Sequence, residues 1–194
     1  MKFRNLGLVP YQVAYQKMQI FTSERPEGAE DEIWFCEHSP VFTLGWHAEK
    51  THLFDTHQIP VVETDRGGQV TYHGPGQLMV YFLVDLKRRK QGVAEFVCTI
   101  ESALIAMLQQ LNIKAHRREG MPGVYVDNRK IASIGLRVKK GCTYHGLALN
   151  VDMDLTPFSY INPCGYSDLK MTQVKEWCDY DVAAIQKLLV EHLS

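Results

Sequence analysis

Residues 124–151 read VYVDNRKIASIGLRVKKGCTYHGLALNV, and this segment is the most informative about the fold class. Within it, Val124 to Val126 and Ile131 to Val138 are apolar runs of strand length that enclose Asp127-Asn128-Arg129-Lys130. The Asp-Asn pair tolerates positive φ angles, so this tetrapeptide is predicted to be a hairpin connection. A second polar turn leads into another predicted strand, Tyr144 to Val151.

Further strands are predicted upstream. Glu32 to Cys36 and Val41 to Leu44 flank a Ser39-Pro40 turn. Gln77 to Leu86 is nearly all apolar, which is typical of a strand covered on both faces.

Three segments have the periodicity of amphipathic helices. They are residues 10–24, where Pro10 suits the first turn, residues 93–111, and residues 182–193, where Asp179 or Asp181 is the expected N-cap. Strands with hairpins, together with helices at the start, middle and end, predict an α+β fold with a mixed or antiparallel sheet and flanking helices.

The composition describes a globular chain. It has 194 residues, 45% of them hydrophobic, and no composition break, linker or repeat divides it, so one domain over residues 1–194 is expected. The 21 basic residues balance the 22 acidic ones, which argues against a generic nucleic-acid binder. Neither a signal peptide nor an apolar run of membrane-spanning length is recognisable, so no membrane association is expected.

The five cysteines include no Cys-x-x-Cys pair, which makes a disulfide framework or a zinc ribbon improbable and predicts a reducing, cytoplasmic compartment. The histidines at 47, 52 and 57 lack the spacing of a helical zinc site, so no metal is expected. Basic clusters at 87–90, 117–118 and 139–140 are typical of solvated faces, or they steer an acidic protein partner.

Residues 66–77, RGGQVTYHGPGQ, combine four glycines with an arginine and a histidine. Glycines let a backbone approach a ligand closely and leave its amide groups available as donors. The segment lacks the Gly-Lys-Ser/Thr of a phosphate loop and the third glycine of a dinucleotide site. A ligand-binding loop and a plain turn between two strands therefore both remain open.

Cys164 lies between a proline and a glycine in INPCGY, whereas Cys36 and Cys98 fall inside predicted elements. A loop position presents a thiol to a substrate, but a free thiol has a pKa of about 8.5 and needs a partner to ionise at neutral pH. His73, His145 and Lys130 are candidate partners, and sequence spacing does not choose among them. A structural thiol in a turn is the alternative.

Four blocks, RGGQVTYHGPGQL, NRKIASIGLRV, YHGLALNV and INPCG, resemble in order and spacing the lipoyl(octanoyl) transferases over residues 30–170. The resemblance implies a single catalytic domain with the fold of biotin and lipoate protein ligases. It also implies transfer of an octanoyl group from the thioester of octanoyl-acyl carrier protein to a lysine of lipoyl domains. The acceptors would be lipoyl domains of 2-oxo acid dehydrogenase subunits and glycine cleavage H protein. A thioester is already activated, so neither ATP nor another cofactor is expected.

Residue by residue, the resemblance places the nucleophile at Cys164 and its catalytic partner at Lys130. The positions implied to bind substrate are Arg66, Gly67, Gly68, Gln69, Val70, Thr71, Tyr72, His73, Ser133, Ile134, Gly135, Gly146, Leu147 and Ala148. His73 and His145 are expected near the thioester.

Two alternatives accompany this interpretation. An ATP-dependent lipoate or biotin ligase of the same fold would form an acyl-adenylate and would not need Cys164. A catalytically inert module would bind acyl carrier protein without turnover, and it would do so equally well after replacement of Cys164 or Lys130.

Overall fold

A computed structural model describes residues 1–193, apart from the side chains at positions 50 and 164. The strands, in chain order, are β1 (Lys2–Val9), β2 (Glu32–His38), β3 (Val41–Leu44), β4 (Val61–Glu63), β5 (Val70–His73), β6 (Gln77–Leu83), β7 (Gly123–Val126), β8 (Arg129–Lys139) and β9 (Cys142–Asn150). The helices are α1 (Tyr11–Glu24), α2 (Leu86–Arg89), α3 (Val93–Gln110) and α4 (Val182–Leu193).

Six strands form a mixed sheet in the order β1-β2-β6-β9-β8-β7, in which β1 runs parallel to β2 and the other pairs are antiparallel. Helices α3 and α4 pack on one face of this sheet and α1 packs on the other. A smaller sheet has the order β4-β3-β5. The predicted α+β fold with a mixed sheet and flanking helices is confirmed.

Strand β6 is buried on both faces, as its apolar run predicts. Leu78, Val80 and Phe82 belong to the core under α3 and α4, whereas Met79 and Tyr81 belong to the core under α1. Its predicted end at Leu86 is wrong, because the strand stops at Leu83. The side chain of Asp85 accepts a hydrogen bond from the backbone of Arg88 and begins the short helix α2 instead.

The hairpin between β7 and β8 has a shorter connection than the predicted tetrapeptide. Only Asp127 and Asn128 lie outside the strands, and their φ angles of 46° and 65° are the pair of left-handed values of a two-residue type I′ turn. Arg129 and Lys130 are therefore the first residues of β8. This shift matters because it turns Lys130 from a loop residue into a buried strand residue.

All three predicted helices are present. The side chain of Asp181 accepts a hydrogen bond from the backbone of Ala184, so Asp181 is the N-cap of α4. Helix α3 is long and apolar enough to cross a membrane by length and composition alone, but its apolar stripe packs into the core beneath the sheet.

Strands β1, β4 and β5 were not predicted. β1 is an edge strand with no buried residue, so it lacks the apolar alternation on which a prediction depends. β5 lies inside the glycine-rich segment and pairs with β3. The Ser39-Pro40 turn therefore joins two strands that belong to different sheets.

Candidate functional site

A cavity of about 50 Å³ lies where the α1 face of the large sheet meets β5 and the loop that precedes it. Its lining is Tyr11, residues 66–71, His73, Met79, Tyr81, residues 133–135 and residues 145–148.

The floor of the cavity is formed by cross-strand rows of the sheet. In one row Met79 on β6 faces Ala148 on β9, which faces Ser133 on β8. In the neighbouring row Tyr81 faces Gly146, which faces Gly135. The β8 and β9 positions are therefore all small, and they leave a trench in front of the large β6 side chains.

The roof at the β8 end is the backbone of residues 66–69. The N–H of Gly67 donates to the carbonyl of Leu136 at 3.0 Å, so the loop is held against β8 beyond Gly123, the first residue of β7. A Cβ at position 135 would lie 2.8 Å from the Gly67 carbonyl oxygen, which is closer than real side chains approach. Glycine at 135 thus permits direct contact between floor and roof.

Arg66 organises this roof. Arg66 as a residue is 8% exposed, and its guanidinium donates to the hydroxyl and carbonyl oxygens of Thr43 and to the carbonyls of Gly67 and Gln69. Because these contacts include two carbonyls of its own loop, Arg66 fixes the shape of the loop and places a positive charge at the cavity wall.

His73 is held in a hydrogen-bonded chain beside the cavity. Its Nδ1 lies 2.7 Å from the side-chain oxygen of Gln77, and its Nε2 lies 3.2 Å from the Thr43 hydroxyl. Its ring is stacked on that of Tyr11. Burial lowers the pKa of His73 well below its usual value, and the neighbouring charges of His38 and Arg66 lower it further. His73 is therefore a neutral imidazole that donates from Nδ1.

His145 pairs with Asp65, a residue that the sequence did not single out. The two side chains meet at 2.9 Å through His145 Nε2, and Tyr144 donates to the same carboxylate. Burial alone would raise the pKa of Asp65, but bonds from His145, Tyr144 and Tyr15 outweigh it and lower that pKa. Burial lowers the pKa of His145, which Asp65 only partly offsets. A neutral imidazole that donates to a carboxylate fits both directions.

A third buried histidine, His38, was also missed. Its Nε2 lies 2.5 Å from the Tyr81 hydroxyl, and its Nδ1 lies 2.8 Å from the carbonyl oxygen of Val9. Since the carbonyl only accepts, Nδ1 carries the proton and Tyr81 donates to Nε2. Burial lowers the pKa of His38 to about 4. His38 lies in no recognisable motif. Only its hydrogen bond to Tyr81, which lines the cavity, connects it to the site.

Lys130 is 3% exposed at the start of β8. Its Nζ lies 5.4 Å from the centre of the Tyr125 ring, and its backbone N–H donates to the carbonyl of Lys170. Lys130 lines a second cavity of about 310 Å³ whose lining includes residues 67–69, 134–136 and Tyr166. The two cavities share residues 67–69 and 134–135.

The backbone of the Cys164 segment forms a 3-10 turn, Pro163–Gly165, whereas the Cys164 side chain lies outside the described residues. A Cβ at position 165 would lie 3.3 Å from Gln69 Cγ and 3.5 Å from His52 Nε2. Asn162 binds His52 through both backbone and side chain. The turn is therefore fastened beside Gln69, which lines both cavities.

The structure thus gathers most of the positions implied to bind substrate around one cavity, and Tyr72 is the exception. Thr71 and His73 line the cavity, whereas the Tyr72 ring packs against Phe42 and Phe158 in the core of the smaller sheet. Alternation along β5 explains this, because successive side chains of a strand point to opposite faces.

Comparison with known proteins agrees with this geometry. Residues 10–194 match the lipoyl protein ligase A/B catalytic domain. The octanoyltransferases of Francisella tularensis subsp. novicida and Chromobacterium violaceum are 53% and 54% identical over 192 residues, 98% of this chain and 92% and 93% of theirs. Among solved structures, a bi-partite lipoate protein ligase from Thermoplasma acidophilum, described with its E2 lipoyl domain, has a TM-score of 0.81 at 16% identity. That match covers 100% of this chain and 82% of the other, and it supports the predicted fold. The chain belongs to the lipoyl protein ligase A/B catalytic domain family and is an octanoyltransferase.

Proposed function

We propose that the protein transfers an octanoyl group from octanoyl-acyl carrier protein to a lysine of a lipoyl domain, through a thioester on Cys164 and without ATP. The observation that carries this proposal is the position of the Pro163–Gly165 turn. Its backbone lies against Gln69. This residue lines the first cavity, whose floor is made of small residues, and also the second cavity, which contains Lys130.

In the first half-reaction the Cys164 thiolate attacks the carbonyl carbon of the donor thioester. A new C–S bond forms at Cys164, the C–S bond to the carrier breaks, and the leaving thiolate takes up a proton. The ammonium of Lys130 stabilises the attacking thiolate and supplies that proton. The roof amides of residues 68 and 69 are candidates for donors to the oxyanion.

In the second half-reaction the lysine amine of the acceptor attacks the Cys164 thioester. A C–N bond forms and the C–S bond to Cys164 breaks. Neutral Lys130 takes the proton from the attacking nitrogen, which returns Lys130 to the ammonium form and leaves Cys164 as a thiolate. Both half-reactions therefore balance without an external activating group.

The first cavity, which lies between the floor of small residues and the roof loop 66–69, is named the inner cavity. It is suited to the acyl chain because most of its lining is apolar or small. Burying about seven carbons at ~0.8 kcal/mol each contributes roughly 5–6 kcal/mol to binding. The neutral state of His73 and His145 supports this assignment, since a charged imidazole beside an alkyl chain is unfavourable.

The partners are acidic carrier and lipoyl domains that dock by charge. Of the basic clusters, Arg88 and Arg89 are paired with Asp31, whereas Lys139 and Lys140 lie exposed at the turn between β8 and β9. Lipoyl domains of 2-oxo acid dehydrogenase subunits and of glycine cleavage H protein are the proposed acceptors. The four cysteines with described side chains are free thiols, which supports a cytoplasmic location.

Intact-mass analysis after incubation with octanoyl-acyl carrier protein, in the absence of ATP, tests the proposal. One octanoyl mass is expected on the protein, and Cys164→Ala removes it. Cys98→Ala is the matched control, because Cys98 is an exposed thiol on α3 and its replacement leaves the adduct intact.

Adding a lipoyl domain to the purified adduct completes the test. The octanoyl mass is expected to move to one lysine of the acceptor at a rate that falls when Lys130 is replaced by methionine. A folded protein that gains no mass, or gains it only with ATP, contradicts the proposal. The second result would instead support an acyl-adenylate ligase.

A further inference from the structure

The floor of the inner cavity changes abruptly in side-chain size from one strand to the next. In the two cross-strand rows of the floor, β8 and β9 contribute only small residues, and β6 contributes two large ones. The small positions are Ser133 and Gly135 on β8 and Gly146 and Ala148 on β9, and the large ones are Met79 and Tyr81. The trench is therefore open over two strands and closed at the third.

The width of this trench is set by strand spacing. Neighbouring strands lie about 4.8 Å apart, so β6 is about 10 Å from β8, with β9 between them. An octanoyl chain has about seven C–C bonds of ~1.5 Å, and its zigzag is about 9 Å long when extended. A chain that starts over β8 beside Gln69 and crosses β9 thus brings its terminal methyl to β6.

The β6 side of the trench is rigid. The Tyr81 hydroxyl lies 2.5 Å from His38, which in turn is bonded to the backbone of Val9, and both side chains are fully buried. Rotating the Tyr81 ring away from the cavity would leave a buried hydroxyl without its partner and His38 Nε2 with only the weak contact to Cys36 Sγ at 3.8 Å. Met79 is 4% exposed and packs in the same core.

We propose that Met79 and Tyr81 are specificity-determining residues that stop the acyl chain at about eight carbons, and that the chain crosses the sheet over Gly146 and Ala148. This inference rests on the proposed transfer through Cys164, and it adds which residues determine the length of acyl chain that the protein accepts. Because the chain runs across the strands, each strand acts at a different chain length. A larger side chain at position 148 would obstruct chains longer than about four carbons, whereas Met79 stops those longer than about eight.

The test measures acylation rates of the whole protein with butyryl, hexanoyl, octanoyl, decanoyl and dodecanoyl carrier protein. Met79→Ala is expected to raise the decanoyl-to-octanoyl rate ratio about 10-fold or more, since one methylene in an apolar pocket is worth roughly 10–200-fold. Ala148→Val is expected to slow hexanoyl and octanoyl transfer about 10-fold and to slow butyryl transfer much less.

Met107→Ala is the matched control. Met107 is also buried, but it lies on α3 in the core on the opposite face of the sheet and does not line the cavity. Its replacement removes the same atoms and is expected to leave the ratios unchanged. Equal profiles for Met79→Ala and Met107→Ala would overturn the proposal, as would a uniform loss across all chain lengths in Ala148→Val.

Calorimetry with free hexanoate, octanoate, decanoate and dodecanoate separates this inference from the proposed chemistry. If wild type forms no thioester, transfer through Cys164 fails. Preference for octanoate that shifts toward decanoate in Met79→Ala would still support the length stop. Binding that is indifferent to chain length in wild type and in Met79→Ala would overturn it.

Discussion

Gly123 leaves the space that the side chain of Lys130 fills. A Cβ at position 123 would lie 2.5 Å from the carbonyl oxygen of Ala132, 2.6 Å from Lys130 Cε and 3.3 Å from Lys130 Nζ. Glycine also suits the φ of +130° that the backbone adopts there, and its N–H donates to Glu101 at 2.9 Å. The backbone of β7 thus defines where the Lys130 amine lies.

We expect Gly123→Ala to lower kcat for octanoyl transfer about 100-fold, because displacing a catalytic group by about 1 Å costs a factor of this size. Steady-state kinetics and intact-mass acylation rates measure the effect. Gly120→Ala is the control, since Gly120 also has a positive φ but has no atom within 4 Å of its Cβ position. Equal losses in both variants would show that backbone strain, not displacement of Lys130, is responsible.

His38 is expected to make stability depend on acidity. Its pKa is about 4 in the folded protein, against about 6.5 in an unfolded chain, so the unfolded state binds more protons between these values. The free energy of unfolding therefore falls as pH decreases from about 6.5 to 4, by up to about 3 kcal/mol from this residue.

Urea unfolding at pH 7 and pH 4.5 measures this dependence. His38→Gln is expected to be less stable at pH 7, because the Tyr81 hydroxyl loses its partner, but its stability changes less with pH. His47→Gln, which alters an exposed loop histidine, retains the wild-type dependence. A wild-type slope in His38→Gln would assign the pH response to His73 and His145 instead.

Arg66→Lys is expected to weaken acyl binding even though the charge is kept. The guanidinium holds Thr43 and two loop carbonyls at once, and a lysine amine does not reproduce this planar fork. We expect a loss of about 1–3 kcal/mol in the free energy of unfolding and a higher KM for the octanoyl donor. Denaturant unfolding and initial-rate kinetics test both.

Arg4→Lys is the control for that substitution, because Arg4 on the edge strand β1 pairs with Glu32 on β2, away from the cavity. It is expected to change stability by less than about 1 kcal/mol and to leave KM unaltered. An Arg66→Lys variant with wild-type KM would show that the loop keeps its shape without the fork.

The parts of the fold that sequence predicts are those with a strong local pattern. The continuous apolar run of β6 and the apolar stripe of α3 are enough to predict that both elements are buried. The end of β6 did not follow from hydrophobicity, because Asp85 stops the strand by capping α2. β1 was missed because an edge strand with exposed side chains has no pattern to read.

The candidate site divides in the same way. The glycines at 67, 68 and 135 signalled close backbone contact, and the structure places residues 67 and 135 against each other. Sequence spacing did not choose among His73, His145 and Lys130 as partners of Cys164. The structure ties both histidines to other acceptors, Gln77 and Asp65, and places Lys130 in the second cavity with Tyr166. Single polar residues such as His38 and Asp65 are recognised as part of the site only from their contacts with residues that are distant in sequence.

The shared lining of the two cavities has a kinetic consequence under the proposed chemistry. The octanoyl group stays in the inner cavity during both half-reactions. The carrier protein and the lipoyl domain each bind in turn beside the second cavity, which contains Lys130. The two proteins therefore compete with each other for the binding surface beside the second cavity, and neither competes with the bound acyl chain. Initial rates should follow parallel double-reciprocal lines, with inhibition by whichever protein partner is in excess.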